Sequence, residues 1–168
     1  MLSSNKFKNN NFAPNLNLQY MAETLGMLCD KLTIVKLKQY HTSDEVRLQS
    51  LNEQCKQLQL EIDEYFADAI AGNIPPERLT FASNKVFKQE GNEVKEIQGK
   101  IGEVFYQLAD INCRLWHEQE KVYEFEAVPV EEKDTVVKQL ALLNLERNKC
   151  IDAINLQFST LVIKNHKN

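Results

Sequence analysis

Glycine and proline are scarce in this chain, five and four residues of 168. So little turn-forming chemistry excludes a fold of many short strands and suits long, uninterrupted helices. The N-terminus lacks an apolar core of signal-peptide length, and no apolar run approaches the roughly 18 residues that span a membrane. A cytoplasmic protein without a membrane span is therefore the expectation. An overall basic field is also missing, because the net charge is −4. That balance disfavours nucleic acid as a partner. The cysteines, Cys29, Cys55, Cys113 and Cys150, fall one on each of four predicted helices. None forms a Cys-x-x-Cys pair, so reduced, partly buried thiols are expected rather than disulfides or a metal site.

Catalytic chemistry is equally sparse. A carboxylate-bridged di-iron bundle needs Glu-x-x-His pairs, and the chain has none. His41, His117 and His166 show no ligand spacing. A phosphate-cradling glycine loop and a nucleophile elbow are both missing. The sequence thus assigns no catalytic residue, no metal and no cofactor. His117, in Leu-Trp-His-Glu-Gln-Glu, reads as a surface residue, and Lys95, Glu96, Lys100 and Glu103 read as a solvated helix face.

What is present is helical periodicity. Hydrophobic residues make up 43% and charged residues 26%, values that fit one soluble globular domain of this length. Residues 1–17 carry Lys6 and Lys8 among many asparagines and read as a flexible tail. Residues 18–164 should form a single helical-bundle domain, and 165–168 a second short tail. The first helix is expected from about Asn17 or Gln19 to His41, with Met21, Leu25, Leu28, Leu32 and Val35 as its main stripe. Gly26, Thr33, Ile34 and Leu37 lie on nearly the opposite side. A helix apolar on two faces packs on two sides, so Ile34 and Leu37 are candidates for an interface with a second subunit or with the long connection. The bland alternative leaves them as exposed apolar residues.

Ser43 or Thr42 should cap a second helix running to Ala71, with Leu48, Leu51, Cys55, Leu58, Ile62, Tyr65 and Ala69 facing inward and Gly72 as its stop. Residues 72–92 form the one long irregular connection, in which Leu79, Phe81, Val86 and Phe87 should pack down. A third helix is predicted from Asn92 to Glu126 on the stripe Val94, Ile97, Ile101, Val104, Leu108, Ile111, Leu115 and Val122. Gly99 and Gly102 would weaken it and permit close backbone approach. A fourth helix should start between Val130 and Asp134 and end by Lys164. Together these elements predict an all-α, antiparallel four-helix bundle with a long crossover between its second and third long helices.

The fourth helix carries one residue of the wrong kind. Its stripe is Val136, Leu140, Leu143, Ile151, Ile154, Phe158 and Leu161, and Arg147 stands near the middle where a leucine would be expected. Asn144, Asn148 and Asn155 run along one edge. Counting outward from the connections places Arg147, Asn112, Asn144, Asn148, Thr33 and Asn52 near one level of the bundle, with Asp30, Glu118 and Asp152 as carboxylates in reach and Trp116 at the margin. A buried guanidinium must be paired, since an unpaired buried charge costs several kcal/mol. Three outcomes stand open. The level is a closed structural network, or it opens into a pocket where Arg147 grips a phosphate or carboxylate, or Arg147 snorkels outward with only its stem buried.

Three stretches carry a family resemblance: Glu23-Thr-Leu-Gly-Met-Leu-Cys-Asp-Lys-Leu-Thr-Ile-Val-Lys-Leu-Lys38, then Asn112-Cys-Arg-Leu-Trp116, then Asn144-Leu-Glu-Arg-Asn148 continuing into Ile151-Asp-Ala-Ile-Asn155. Together they resemble small bacterial all-helical domains of unknown function met among surface-polysaccharide and lipopolysaccharide genes, some fused or adjacent to glycosyltransferases. The motif positions here are Asp30, Lys31, Asn112, Trp116, Arg147, Asn148 and Asp152, which overlap the polar level. The resemblance implies no reaction. A bundle without preformed catalytic chemistry is instead expected to be a non-enzymatic accessory or interaction protein, homo-oligomeric through the second face of the first helix or bound to a protein partner. The resemblance adds an expected link to cell-envelope polysaccharide assembly, with a glycosyltransferase as one candidate partner. The alternative is a ligand-binding protein or transferase for an anionic sugar or nucleotide.

Overall fold

The computed structural model describes residues 23–82 and 90–167. The expected N-terminal tail, the expected start of the first helix, and Lys85, Val86, Phe87 and Lys88 all lie outside the described residues. Four helices carry the fold: α1 (Leu25–His41), α2 (Glu45–Ala71), α3 (Ile101–Tyr123) and α4 (Val130–Asn165). Single 3-10 turns at Pro76–Arg78 and Phe125–Ala127 punctuate the connections. The architecture is an all-α, antiparallel four-helix bundle with a long crossover between α2 and α3.

Helix boundaries follow local hydrogen-bond chemistry. Asp44, rather than Ser43 or Thr42, caps α2: its carboxylate accepts the Arg47 N–H at 2.9 Å. The Thr42 hydroxyl instead accepts the Asp44 N–H at 3.3 Å and steadies the turn. Gly72 ends α2 in the left-handed conformation, φ +77°, which lets the Asn73 N–H reach the Asp68 carbonyl at 2.8 Å.

Interhelical bonds set the directions. Gly26 meets Asn155 and Asp30 meets Arg147, so α1 and α4 run antiparallel. Asp30 meets Asn112 and His41 meets Trp116, so α1 and α3 run parallel. Helix α2 ends where α1 begins, with Ile70 beside His166 at the end of α4, so the crossover begins and ends at that end of the bundle. Its last stretch approaches that end in extended form. Lys138 donates to the carbonyl of Gly91 and to the Asn92 side chain, Lys149 to the carbonyl of Val94, and Gln157 to the carbonyl of Gly99. Residues 91–100 thus run alongside α4 in the same direction. From Lys138 to Gln157 a helix advances about 28 Å, and the eight extended steps from 91 to 99 cover about 26 Å.

This strap corrects the third helix, expected from Asn92, whose first helical residue is Ile101. Gly99 has φ +109°, a conformation that ends any helix passing through it. The Glu103 carboxylate accepts the Lys100 N–H at 2.7 Å and starts a new helix there. The spacing of Val94 and Ile97 matched a helix, yet the extended strap serves it: both are half-buried and Ile97 packs on the main core. The close backbone approach is also elsewhere. A Cβ on Gly102 would meet nothing within 4 Å, whereas one on Gly26 would lie 2.6 Å from the Ile151 carbonyl oxygen of α4.

The main core joins Leu25 and Leu28 of α1, Tyr65 and Ala69 of α2, Val104, Leu108 and Ile111 of α3, and Leu143, Ile151, Ile154 and Phe158 of α4. From the crossover, Leu79 is fully buried in it, whereas Phe81 is 43% exposed. Each buried Leu, Ile or Phe contributes about 1.5–3 kcal/mol of transfer free energy. On α4, Val162 rather than Leu161 ends the buried stripe, and Leu145, Cys150, Asn155 and Ser159 are buried as well. Helix α4 packs against all three other helices, so its covered arc is wider than one stripe. Val35, Leu51 and Cys55 form a separate small cluster between α1 and α2. Helix α1 is thus central, with α2 on one side and α3 and α4 on the other.

Candidate functional site

Arg147 stands on the face of α4 that looks at α1, opposite Asp30. Its Nε donates to Asp30 Oδ1 at 2.7 Å and its Nη2 donates to Asp30 Oδ2. This two-pronged geometry matches the planar guanidinium to the carboxylate. The Asp30 side chain is 5% exposed and that of Arg147 30%. Hydrogen bonding to Asp30 raises the Arg147 pKa, against the opposing effect of burial. Asn112 of α3 is fully buried and completes the group: its Nδ2 donates to Asp30 Oδ1 at 2.9 Å and to the Thr33 hydroxyl at 2.7 Å. Thr33 in turn donates to the Asp30 carbonyl at 2.8 Å. Three helices are pinned at one level, and the charge of Asp30 is answered inside the protein.

The same field acts on nearby thiols. Burial, with the Asp30 carboxylate adding to it, pushes the Cys29 thiol up to about 12. Cys150 is pushed up to about 12 by burial, then by Glu146 and Asp30. Both stay protonated near neutral pH and are poor nucleophiles. Among the described residues, no group of three His, Cys, Asp or Glu side chains is placed to hold a metal ion, and no helix is long and apolar enough to cross a membrane.

The other residues singled out from the sequence are dispersed. Asn52 is exposed and accepts from Gln39 at 2.9 Å, about two turns from Asp30. The hairpin pairs residue 39 with 52, so residues near 60 are level with Asp30, and counting from the turn put α2 out by about two turns. Asn144 and Asn148 donate to carbonyls of their own helix, at Leu140 and Asn144. Lys31 is exposed and paired with Glu23, and Glu118 pairs with Lys121 at 2.8 Å. Asp152 is half-buried on the next turn of α4.

Trp116, one turn beyond Asn112, forms a second constellation. Its ring stacks on His41 at 4.7 Å, and its Nε1 donates to Glu120 at 2.8 Å. Glu120 is also 3.3 Å from His117 Nδ1 and 3.9 Å from His41 Nδ1. The Trp116 and His117 hydrogen bonds lower the Glu120 pKa, with help from both imidazoles. His41 and Glu120 were not foreseen, because they meet only once α1 and α3 are known to be parallel. Asn155 was noted on the edge of the α4 stripe without a role. It accepts the Gly26 N–H at 2.8 Å and so satisfies a first-turn donor of α1 from another helix. The signal was available: given Asp30 opposite Arg147 in antiparallel helices, one further turn on each brings Gly26 to Ile151 and Asn155.

Gly26 and Thr33 belong to the face of α1 offered as a subunit interface, and α4 and α3 of the same chain cover it there. Ile34 and Leu37 are half-buried, belong to neither core cluster, and line different grooves. Ile34 lines an open groove of about 430 Å³ between α1 and α2, with Arg147 and Asp30 at its base and Lys31, Lys38 and Glu61 on its walls. Leu37 lines an apolar groove between α1 and α3, with Leu32, Lys36, Tyr40, Ala109 and Cys113. No protein-family model, curated protein or solved structure matches this chain.

Proposed function

We propose that this protein is a non-enzymatic accessory or interaction module that binds a partner protein. One observation carries the reading. Arg147, the strongest candidate for holding an anionic ligand, spends two of its nitrogens on the buried Asp30 carboxylate, and Asn112 and Thr33 close the network around it. Recruiting that cation to a ligand would leave Asp30 buried and unpaired, at a cost of several kcal/mol. Of the two grooves beside Ile34 and Leu37, the one at Leu37 is the apolar one and suits a protein surface. The sequence resemblance supports a place among cell-envelope polysaccharide functions, with a glycosyltransferase as a fitting partner.

A second reading rests on the partial exposure of the guanidinium at the base of the Lys31–Lys38 groove. There an anionic sugar or nucleotide would lie across Arg147, in a binding protein or transferase. Thermal unfolding with nucleotide sugars, phosphate and citrate separates the two. A ligand that binds only the folded state raises the Tm by mass action. The interaction reading expects no shift with any of them. A shift in the wild type that disappears in Arg147→Ala would overturn it in favour of the ligand site.

A further inference from the structure

The outward charge of α1 is of one sign. Between Leu25 and His41 the only carboxylate is Asp30, and it is buried and neutralised by Arg147. The cations Lys31, Lys36 and Lys38 are exposed. Glu23 answers Lys31, but neither Lys36 nor Lys38 has an ion-pair partner among the described residues. Lys31 and Lys38 line the α1–α2 side of the helix and Lys36 the α1–α3 side, on a chain whose net charge is −4. Lys36 stands on the wall of the α1–α3 groove, midway between Leu32 and Tyr40. Across the groove, Arg114 adds no free charge, because Asp110 and Glu146 lie 3.9 and 3.8 Å from it.

The shape of the groove matches a helix. Its walls are two parallel helices, and the residues named advance about 12 Å along α1. That is room for two turns of a third helix, whose anchors recur at three and four residues. The small side chains of Ala109 and Cys113 let a neighbouring backbone come close. Tyr40, 85% exposed, stands on the α1 wall of the groove. An exposed tyrosine beside an apolar floor is the composition of a binding surface. A second copy offering the same groove across a two-fold axis fits badly, because Lys36 lies at the centre and would meet its own equivalent.

Resting on the interaction reading above, we infer that the α1–α3 groove receives an acidic amphipathic helix from a partner protein. Its apolar stripe seats against Leu37, Tyr40, Ala109 and Cys113, and its carboxylates face Lys36.

The test uses the full chain and fluorescein-labelled peptides of about 18 residues, a length that supports measurable helix. All share one apolar stripe at helical spacing and carry flanking Glu, Gln or Lys. Fluorescence anisotropy reports affinity at low and high salt. The Glu peptide is expected to bind about tenfold or more tighter than the Lys peptide, a gap that narrows with salt. Lys36→Glu should reverse the order. Leu37→Asp should abolish binding, and Tyr40→Asp, at a position too exposed to threaten folding, should weaken it. If the Glu and Lys peptides bind equally and Leu37→Asp removes both, the acidic class of partner is wrong and the interaction reading stands. If no peptide binds, both fall.

Discussion

Replacing Arg147 by methionine keeps most of the volume of the side chain and removes its charge. Asp30 would then be a carboxylate with a 5% exposed side chain, held by Asn112 alone among its present side-chain donors. Removing one partner of a fully buried pair costs about 3–5 kcal/mol. Arg147 is 30% exposed, so water reaches part of the site and the expected loss is nearer about 2–3 kcal/mol. For a domain of this size that lowers the Tm by roughly 5–10 °C. The second half of the cycle is more telling. In the double variant Asp30→Leu/Arg147→Met no orphan charge remains, and Asn112 keeps its bond to Thr33. Apolar replacement of a buried pair is often neutral or stabilising, so the double variant should recover most of the loss. Denaturant unfolding followed by circular dichroism measures both, with the slope m checked for constancy. A single variant within about 0.5 kcal/mol of wild type would show that the pair behaves as an exposed one. A double variant no better than the single would refute the argument that the cost lies in the unpaired carboxylate.

Three further outcomes follow from the same geometry. Gly26→Ala drives a methyl against the Ile151 carbonyl at 2.6 Å and Asn155 at 2.9 Å and should destabilise by about 1–3 kcal/mol. Gly102→Ala meets nothing within 4 Å inside a helix and should stabilise by about 0.5–1 kcal/mol, so equal effects of the two in denaturant unfolding would contradict the packing described. A thiol reagent at pH 8 should modify the exposed Cys113 first in the native protein, the half-buried Cys29 more slowly, and Cys55 and Cys150 only on unfolding; native labelling of Cys150 at the rate of Cys113 would refute its burial. The lowered pKa of Glu120 means that its contact stabilises above the ordinary carboxylate pKa of about 4.3 and is lost as pH falls through the folded value. The fluorescence of Trp116, the sole tryptophan, should therefore change on the acid side, and Glu120→Gln should remove that step.

By itself the sequence determined the fold class, the second and fourth helices nearly to the residue, the end of the first though not its start at Leu25, and the oddity of Arg147. These are local facts. Helical spacing, turn residues and a charge in an apolar stripe are visible wherever the chain is read. The tertiary structure decided which carboxylate answers Arg147, because Asp30 and Arg147 are joined only by the antiparallel seating of α1 on α4. It also separated Trp116 from the buried network, placed Asn52 at the surface, and covered much of the second face of α1 with the chain's own helices. The strap was illegible for a different reason: Val94 and Ile97 recur at three residues, which reads as the start of a helical stripe, and nothing local in residues 92–98 says that the chain instead lies extended along α4. Only the positive φ of Gly99 and the capping bond of Glu103 move the start of α3 to Ile101.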